Sequence, residues 1–204
     1  MQAEKKEEVL TSIKKLLEEN NGVVKAAQLY PLGLTYRNIQ GLVKEGILDH
    51  VKSGYYAMNY KEKPQEEIIL GLFPEGILCM DTALYYYGYI ERRPYCYSIA
   101  ISKNTSKSRF NIDYPVIRPY YTEPEVLELG VTTIDFGGGT MPIYNKERLI
   151  CDCLKYEERI DREDMKAALR AYINEPKKDI ARLMEYARAR KVVAKVQSRI
   201  GVWL

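Results

Sequence analysis

The stretch from Gly33 to Tyr56 constrains the fold of this chain most strongly, because it carries signals for a capped helix followed directly by a hairpin. Thr35 can cap a helix, since its hydroxyl can accept a hydrogen bond from an amide of the first turn. Gly46 can end that helix, and the glycine at position 54 lies between two short β-prone runs, which is typical of a hairpin turn. The stretch therefore predicts a helix over Thr35–Glu45 and a two-stranded ribbon after it.

The predicted helix has two different faces. An apolar stripe recurs at helical spacing and consists of Ile39, Leu42 and Val43. The other face is basic and amide-rich and carries Arg37, Gln40 and Lys44. Arginine can recognise guanine, glutamine or asparagine can recognise adenine, and lysine can bind phosphate, from a helix that fits the major groove. This face therefore predicts contact with double-stranded DNA, and an ordinary solvated helix face is the alternative.

Two further helices are predicted before this stretch. Apolar residues at helical spacing predict the first over Glu4–Asn20. A shorter helix is predicted over Val23–Leu29, before Pro31. Three helices and a hairpin in this order are the pattern of a winged helix-turn-helix. Tyr36 and Asn38 would lie in the first turn of the third helix, where recognition helices contact bases.

A charged segment with a proline and no periodicity, 61–65, predicts a linker. We therefore divide the chain into a winged helix-turn-helix over 1–60, the linker, and a mixed α/β domain over 66–204 that ends in several helices. Short helices are predicted over Glu66–Phe73 and from Asp81, as its cap, to Gly88. Strands are predicted over Tyr95–Ser102, Val116–Tyr121, Val131–Phe136 and Met141–Tyr144. Helices follow over Lys146–Glu157, Asp161–Ile173, Lys178–Ala189 and Val192–Trp203. Strands that precede a run of helices give the class α+β.

Some details of the second domain bear on function. The glycine run at 137–139 predicts a hairpin turn and not a phosphate loop, because no Lys and Ser or Thr open a helix after it. Asn145 can cap the helix that begins at Lys146. Arg148 and Asp152 are four residues apart on that helix and predict an intrahelical ion pair.

The composition is that of an ordinary globular protein, with 46% hydrophobic and 29% charged residues. No apolar run reaches the length of a membrane span, and the N-terminus has no apolar signal core, so we expect a cytoplasmic protein without membrane contact. The net charge is only +3, but the basic excess is concentrated at the two ends of the chain, where it could neutralise phosphates.

Cofactor and metal sites are not indicated. The four cysteines are expected to be reduced thiols, because no export signal is present. The Cys151-Asp152-Cys153 spacing is too short for a structural zinc site and favours two buried side chains. Catalysis is not indicated either, although a nucleotide- or RNA-acting enzyme is one alternative. Its carboxylates would be Asp81, Asp113, Asp135 and Asp152, which have no metal-ligand spacing, and the single histidine, His50, falls in the hairpin region.

Several segments together resemble the AbiEi family, the antitoxins of type IV toxin–antitoxin systems that are associated with abortive phage infection. The segments are GLTYRNIQGLVKEGILDHVKSGYYAM from Gly33, DTALYYYG from Asp81, IYNKERLICDCLKY from Ile143, and LMEYARARKV in the terminal helices. The family has a recurring "v...erTi.D.l" in the third segment, where this chain has Leu149 in place of the frequent Thr. The order and spacing of the segments carry the resemblance, which covers nearly the whole chain.

The resemblance implies a winged helix that binds repeats in the promoter of its own operon and represses transcription, and a second domain that opposes a nucleotidyltransferase-like toxin. It places the recognition helix at Thr35–Glu45 and the wing around Lys52 and Tyr55. The antitoxin surface could include basic residues that interleave with tyrosines, namely Arg92, Arg93, Lys103, Lys107, Arg109 and Arg118. Such a set can bind nucleic acid by charge and stacking. The alternative is a solvated edge strand whose charged side chains prevent pairing with other chains. A stand-alone winged-helix regulator whose C-terminal domain senses a ligand or partner is the alternative function.

Overall fold

The computed structural model of the chain describes residues 3–203, with side chains described from Lys6 onward. It is a mixed α+β structure with two sheets, and this part of the predicted class is confirmed. The chain forms two compact units. The first contains the residues up to Pro74 together with 111–115 and 135–139, and the second contains 75–110, 116–134 and 140 onward. The predicted linker, 61–65, lies within the first unit, which continues through one more helix.

The first unit is built from four helices and a three-stranded sheet. Its elements are α1 (Ala3–Glu19), β1 (Val23–Lys25), α2 (Ala26–Leu29), α3 (Tyr36–Lys44), β2 (Asp49–Lys52), β3 (Tyr55–Ala57) and α4 (Gln65–Leu72). The strands are antiparallel in the order β1-β3-β2. A core of buried side chains joins helices and sheet, namely Ile13, Leu17, Val24, Leu29, Leu34, Ile39, Leu42, Leu48 and Tyr56.

The predicted helix over Val23–Leu29 is wrong in its first half. Val23 and Val24 are buried and lie in β1, where Val24 pairs with Tyr56 of β3. Branching at Cβ makes valine stiff and suits it to a pleated, half-buried surface, whereas the smaller side chains after Lys25 continue as a single helical turn, α2. Val23 and Val24 are therefore in a strand because they pair with a strand some thirty positions later in the chain.

The second unit contains a five-stranded sheet and a run of helices. Its elements are β4 (Ile77–Leu78), α5 (Met80–Tyr86), β5 (Tyr97–Ser102), β6 (Ile117–Thr122), α6 (Pro124–Leu127), β7 (Val131–Phe136), β8 (Gly139–Tyr144), α7 (Lys146–Lys155), α8 (Arg162–Ile173), α9 (Ile180–Arg190) and α10 (Val193–Ile200). The last two residues of β7 and the first residue of β8 are assigned to the first unit. The sheet order is β6-β5-β4-β8-β7. The four predicted strands and the hairpin turn at the glycine run, between β7 and β8, are confirmed.

A strand that the sequence reading missed lies at the centre of this sheet. β4 has only two residues, yet it pairs antiparallel with β5 and parallel with β8, where Leu78 faces Ile143. Both residues of β4 are buried. Two apolar residues show no detectable periodicity, so only the assembled sheet identifies them as a strand.

The start of α5 also differs from the prediction. The helix begins at Met80, with Cys79 in the capping position, so Asp81 does not cap it. Instead the Asp81 carboxylate accepts hydrogen bonds from the Thr82 amide, at 3.0 Å, and from the Ser98 hydroxyl, at 2.5 Å. Asp81 thereby ties α5 to β5, the strand that carries Ser98.

A buried ion network holds the helices of the second unit together. The predicted ion pair between Arg148 and Asp152 is confirmed, with 3.0 Å between Nε and Oδ2. The other carboxylate oxygen of Asp152 lies 2.5 Å from Nε of Arg190, which belongs to α9. Arg148 also donates to the carbonyl oxygens of Val126 and Leu129, at 2.7 Å each. The side chains of Arg148, Asp152 and Arg190 are at most 5% exposed, so one carboxylate joins α7 to α9 inside the unit.

We expect Asp152→Ala to destabilise the second unit by about 3–5 kcal/mol, because the substitution leaves two buried guanidinium groups without their shared carboxylate. Urea unfolding, followed by the fluorescence of the single tryptophan, Trp203, measures this change in the unit that contains it. Glu163→Ala is the matched control, since it removes a carboxylate from the exposed ion pair with Lys166. Equal losses in the two variants would contradict the role assigned to Asp152.

Candidate nucleic-acid interface

The N-terminus of α3 is fixed by a reciprocal cap. The Asn38 amide N–H donates to Oγ1 of Thr35 at 3.3 Å, and the Thr35 amide donates to Oδ1 of Asn38 at 2.9 Å. The Thr35 hydroxyl also donates to Oδ1 of Asn38, at 2.6 Å. Two amides that the first turn would leave unpaired are thus satisfied, and the predicted cap is confirmed. The helix gives way to the left-handed backbone of Gly46, with φ +71°, as the sequence predicts.

The two predicted faces of α3 are present. Ile39 and Leu42 are 0% and 4% exposed and pack in the core of the first unit, with the partly buried Val43 beside them. On the outer side Tyr36 is 63% exposed. The other exposed side chains of the helix are those of Arg37, Asn38 and Lys44, and Gln40 is partly exposed. The helix is therefore anchored along one side and presents a polar and basic surface along the other. We call this surface the outer face, and it consists of Arg37, Gln40, Gly41 and Lys44.

The two amide side chains of α3 are not equivalent. Oδ1 of Asn38 is engaged in the cap, so only its amino group is available to a partner. Gln40 donates from Nε2 to the hydroxyl of Tyr56, at 3.1 Å, and keeps its oxygen and one N–H. An adenine edge needs both an acceptor and a donor from the amide that contacts it. The geometry at Gln40 meets that need, and the geometry at Asn38 does not.

Tyr56 orients Gln40 from inside the fold. Its side chain is 2% exposed and lies in β3, in the core of the first unit. Burial, and to a smaller extent the neighbouring Tyr36, raise the pKa of the Tyr56 hydroxyl above its ordinary value. The hydroxyl keeps its proton, and its oxygen accepts the hydrogen bond from Gln40 through a lone pair.

The predicted wing is a hairpin of β2 and β3 that turns at Gly54, with a bulge between His50 and Lys52. Its side chains differ from the expectation at one position. Lys52 is only 8% exposed, and its Nζ lies 4.5 Å from the ring centroid of Tyr55 and 4.8 Å from that of Phe73. The ammonium is thus enclosed by aromatic rings and is not displayed at the tip of the hairpin. Tyr55 is half-buried, and DNA contact by this residue stays a prediction.

Two exposed side chains near this surface were missed. Lys25 pairs in register with Tyr55, and its Nζ lies 5.8 Å from the tyrosine ring centroid. Tyr30 is 48% exposed. No local pattern indicates Lys25, because its neighbours are predicted as a helix and not as the edge strand that brings it beside the hairpin.

Of the six basic residues predicted for the antitoxin surface, the four arginines are engaged with other side chains. Arg92 lies 2.8 Å from the Asp164 carboxylate, and Arg118 lies 3.7 Å from that of Asp81. Arg109 pairs with Glu75, and Arg93 donates to the Tyr97 hydroxyl at 2.6 Å. Lys103 and Lys107 are exposed. Most of the predicted nucleic-acid surface thus consists of arginines with an internal partner, which lowers the positive charge available to an outside anion.

A cleft of about 190 Å³ lies among some of these side chains. Arg92, Arg118 and Arg159 line it together with Asp81, Asp161 and Asp164. The guanidinium carbon of Arg159 lies 5.6 Å from the Tyr120 ring centroid and 5.4 Å from that of Tyr156. Arginines and aspartates are equal in number here, so the cleft has no excess charge of either sign to select an ion.

The four candidate carboxylates are divided between the two units. Asp113 and Asp135 belong to the first unit and Asp81 to the second, where Asp152 is bound by two arginines. The four cysteines are free thiols, and all four are buried, although burial was predicted only for Cys151 and Cys153. Burial raises the pKa of the Cys151 thiol to about 12, so this group is protonated at neutral pH and is a poor nucleophile. Among the described residues no three His, Cys, Asp or Glu side chains are grouped to hold a metal ion.

Across residues 3–203, no helix combines the length and the apolar content that crossing a bilayer requires. In comparisons with known proteins, no family model matches the chain and no curated protein matches its sequence.

We expect Thr35→Ala to lower the free energy of unfolding of the first unit by about 1 kcal/mol, because the amide of Asn38 loses its acceptor. Circular dichroism during urea unfolding measures the change. Thr35→Ser keeps the hydroxyl and serves as the control, with a loss well below that of the alanine variant. If serine destabilises the protein as much as alanine, the hydroxyl is not what stabilises the start of α3.

Proposed function

We propose that this chain is a transcriptional repressor that binds double-stranded DNA in its own promoter, and that it is the antitoxin of a type IV toxin–antitoxin system. In this proposal the first unit is a winged helix-turn-helix in which α3 is the recognition helix and the β2–β3 hairpin is the wing. The resemblance to the AbiEi family is the basis for proposing that the DNA is the chain's own promoter and that the chain opposes a toxin. The outer face of α3 supports the DNA-binding part.

One observation carries the DNA-binding proposal, namely that the outer face of α3 is both exposed and pre-oriented. Ile39 and Leu42 anchor the apolar side of the helix in the core, and the cap fixes its first turn. Gln40 is held by a buried tyrosine, so its amide is restricted before any partner arrives. The same hydrogen bond also satisfies the buried hydroxyl of Tyr56. Restricting a side chain in advance lowers the entropy cost of binding.

The proposal assigns a separate task to each residue of this face. Arg37 lies in the first turn of α3 and would contact a guanine edge, which offers two acceptors in the major groove. Gln40 would contact adenine through its free oxygen and N–H. Lys44, in the last turn, would contact phosphate and contribute affinity without selecting a sequence. Asn38 would act mainly as a cap.

The antitoxin part of the proposal rests on the second unit. The most specific segment of the resemblance, IYNKERLICDCLKY, forms the end of β8 and the whole of α7. Its Arg148 and Asp152 belong to the buried ion network, and its cysteines are fully buried. The segment therefore supports a shared fold for the second unit. Opposition to a nucleotidyltransferase-like toxin would then be exerted from the surface around this core.

We expect the combined variant Arg37→Ala, Gln40→Ala, Lys44→Ala to lose sequence-dependent binding to the DNA immediately upstream of its own coding region. The physical reason is that both base-contacting groups and a phosphate contact are removed. The variant also loses the hydrogen bond between Gln40 and Tyr56, at a cost of about 1–3 kcal/mol, so circular dichroism must first show that the variant is folded. Fluorescence anisotropy against the upstream duplex and a scrambled duplex, over a range of salt concentrations, measures the loss. The unmodified protein should bind the upstream duplex more tightly, with an affinity that falls as salt rises.

The control for this experiment is Lys14→Ala with Lys15→Ala, which removes two exposed basic residues from α1 and leaves α3 intact. This variant should still discriminate between the two duplexes. Unchanged discrimination by the α3 variant, or equal weak binding of both duplexes by the unmodified protein, would contradict the proposal.

A finer prediction separates the two amides. We expect Gln40→Ala to lose about 1–3 kcal/mol of discrimination at one base pair, because the bidentate contact with adenine is absent. Tyr56→Phe should weaken discrimination at the same base pair, since Gln40 loses the hydroxyl that orients it. Selection from a random duplex library reports the preferred base at each position for both variants. A change at different positions in the two variants would contradict the assigned pairing.

The antitoxin part predicts that a gene for a nucleotidyltransferase-like toxin lies next to the gene for this chain, and it is tested by co-expression of the full chain with that neighbour. The protein should restore growth of cells that produce the toxin. The combined α3 variant should also restore growth, although it no longer represses the promoter, because we assign the two tasks to different units. Failure of the unmodified protein to restore growth would remove the antitoxin assignment and leave the repressor assignment in place.

A further inference from the structure

The outer face of α3 contains a glycine for which the protein itself supplies no reason. Gly41 lies inside a nine-residue helix, Tyr36–Lys44. Glycine in such a position destabilises a helix relative to alanine, because it loses more backbone freedom on folding. A Cβ placed on Gly41 would meet no atom of the chain within 4 Å. The fold would therefore accept alanine there without displacing a neighbour.

The other glycines of the first unit differ in this respect. Gly71, inside α4, is required by packing, because a Cβ there would lie 2.9 Å from the Asn21 carbonyl oxygen and 3.1 Å from Cβ of Val23. Gly33, Gly46 and Gly54 have φ between +71° and +76°, a conformation that side chains rarely adopt. Gly41 has neither a close neighbour nor a positive φ, so its missing side chain has no structural explanation within the unit.

The position of Gly41 on α3 indicates what the missing side chain accommodates. It follows Arg37 by four residues and precedes Lys44 by three, so the three positions lie along one side of the helix. Gln40 is its immediate neighbour. Gly41 thus forms a shallow gap at the centre of the outer face, with a basic side chain towards each end of the helix.

We infer that Gly41 is the point at which the backbone of α3 approaches DNA most closely, so that the floor of the major groove fills the gap left by the missing side chain. The inference rests on the proposed function. It adds that recognition depends on how deeply α3 enters the major groove. A methyl group at this position would hold the nearest atoms of the groove about 3.5–4.0 Å from Cβ. Arg37 and Gln40 would then be withdrawn from the base edges that they contact.

The experiment compares Gly41→Ala and Gly41→Leu with the unmodified full chain. Thermal unfolding should show a higher melting temperature for the alanine variant, because helix propensity rises and nothing is displaced. Affinity for the upstream duplex should fall roughly tenfold for alanine and further for leucine, as expected when a well-fitted interface is overpacked. Affinity for a scrambled duplex should change little, since phosphate contacts supply most of that binding.

Ser12→Ala is the matched control, because Ser12 is exposed on α1, where alanine also raises helix propensity. This variant should retain full affinity for the upstream duplex, which separates added stability from altered docking. Specific binding by the glycine variants as tight as that of the unmodified protein would overturn the inference and leave the proposed function intact. A lower melting temperature for Gly41→Ala would overturn it as well, since the fold itself would then need the glycine. Equal weak binding of both duplexes by the unmodified protein would remove both proposals.

Discussion

In the second unit, the carboxylate of Asp152 lies between two buried guanidinium groups, and the arrangement of the helices depends on it. One oxygen pairs with Arg148 on the same helix and the other with Arg190 on α9. Removing charged groups from water is costly, and the cost is offset only where each charge has close partners of good geometry. Nη2 of each arginine is buried without a hydrogen-bond partner, so the network already contains unpaired donors and has little tolerance for the loss of its carboxylate. Such a network stabilises one packing of α7 and α9 over alternatives in which the charges are unmatched.

A different constraint governs the first unit, where α3 must pack in the core along one side and remain exposed along the other. Core packing on one side and the Thr35–Asn38 cap at one end restrict α3 to a single orientation within the unit. The same hydrogen bonds decide which polar groups are available to a partner. The side-chain oxygen of Asn38 accepts hydrogen bonds within the cap. Gln40 donates one N–H to Tyr56, and its oxygen and second N–H remain available to a partner. Gly41 makes α3 less stable than alanine would, and it leaves the centre of the outer face without a side chain. Here too, local stability is lower than the sequence could provide, and the surface remains accessible.

Much of the local structure was predictable because its causes are local. The cap of α3 at Thr35, the cap of α7 at Asn145 and the turn at the glycine run follow from residues within a few positions of one another, and all three are present. The ion pair between Arg148 and Asp152 was predicted from its spacing, but its burial was not, because burial depends on α9, more than thirty residues later. Val23, predicted as helical, lies in a strand because it pairs with a distant strand. Lys52, predicted as a DNA-contacting wing residue, is buried partly because the distant Phe73 ring lies beside it.

The sequence by itself determined most of the longer helices and strands, the α+β class and the polar residues of α3, since these depend on periodicity, capping and turn chemistry within short windows. Only the tertiary structure decided that a two-residue strand is central in the larger sheet, that Lys52 is enclosed by aromatic rings, and that Asp152 is shared by two helices. It also decided which of two similar amides can meet a base edge, and that Gly41 faces open space. The physical reason is that burial, hydrogen-bond partners and free surface are properties of residues brought together from distant parts of the chain, and no local pattern records them.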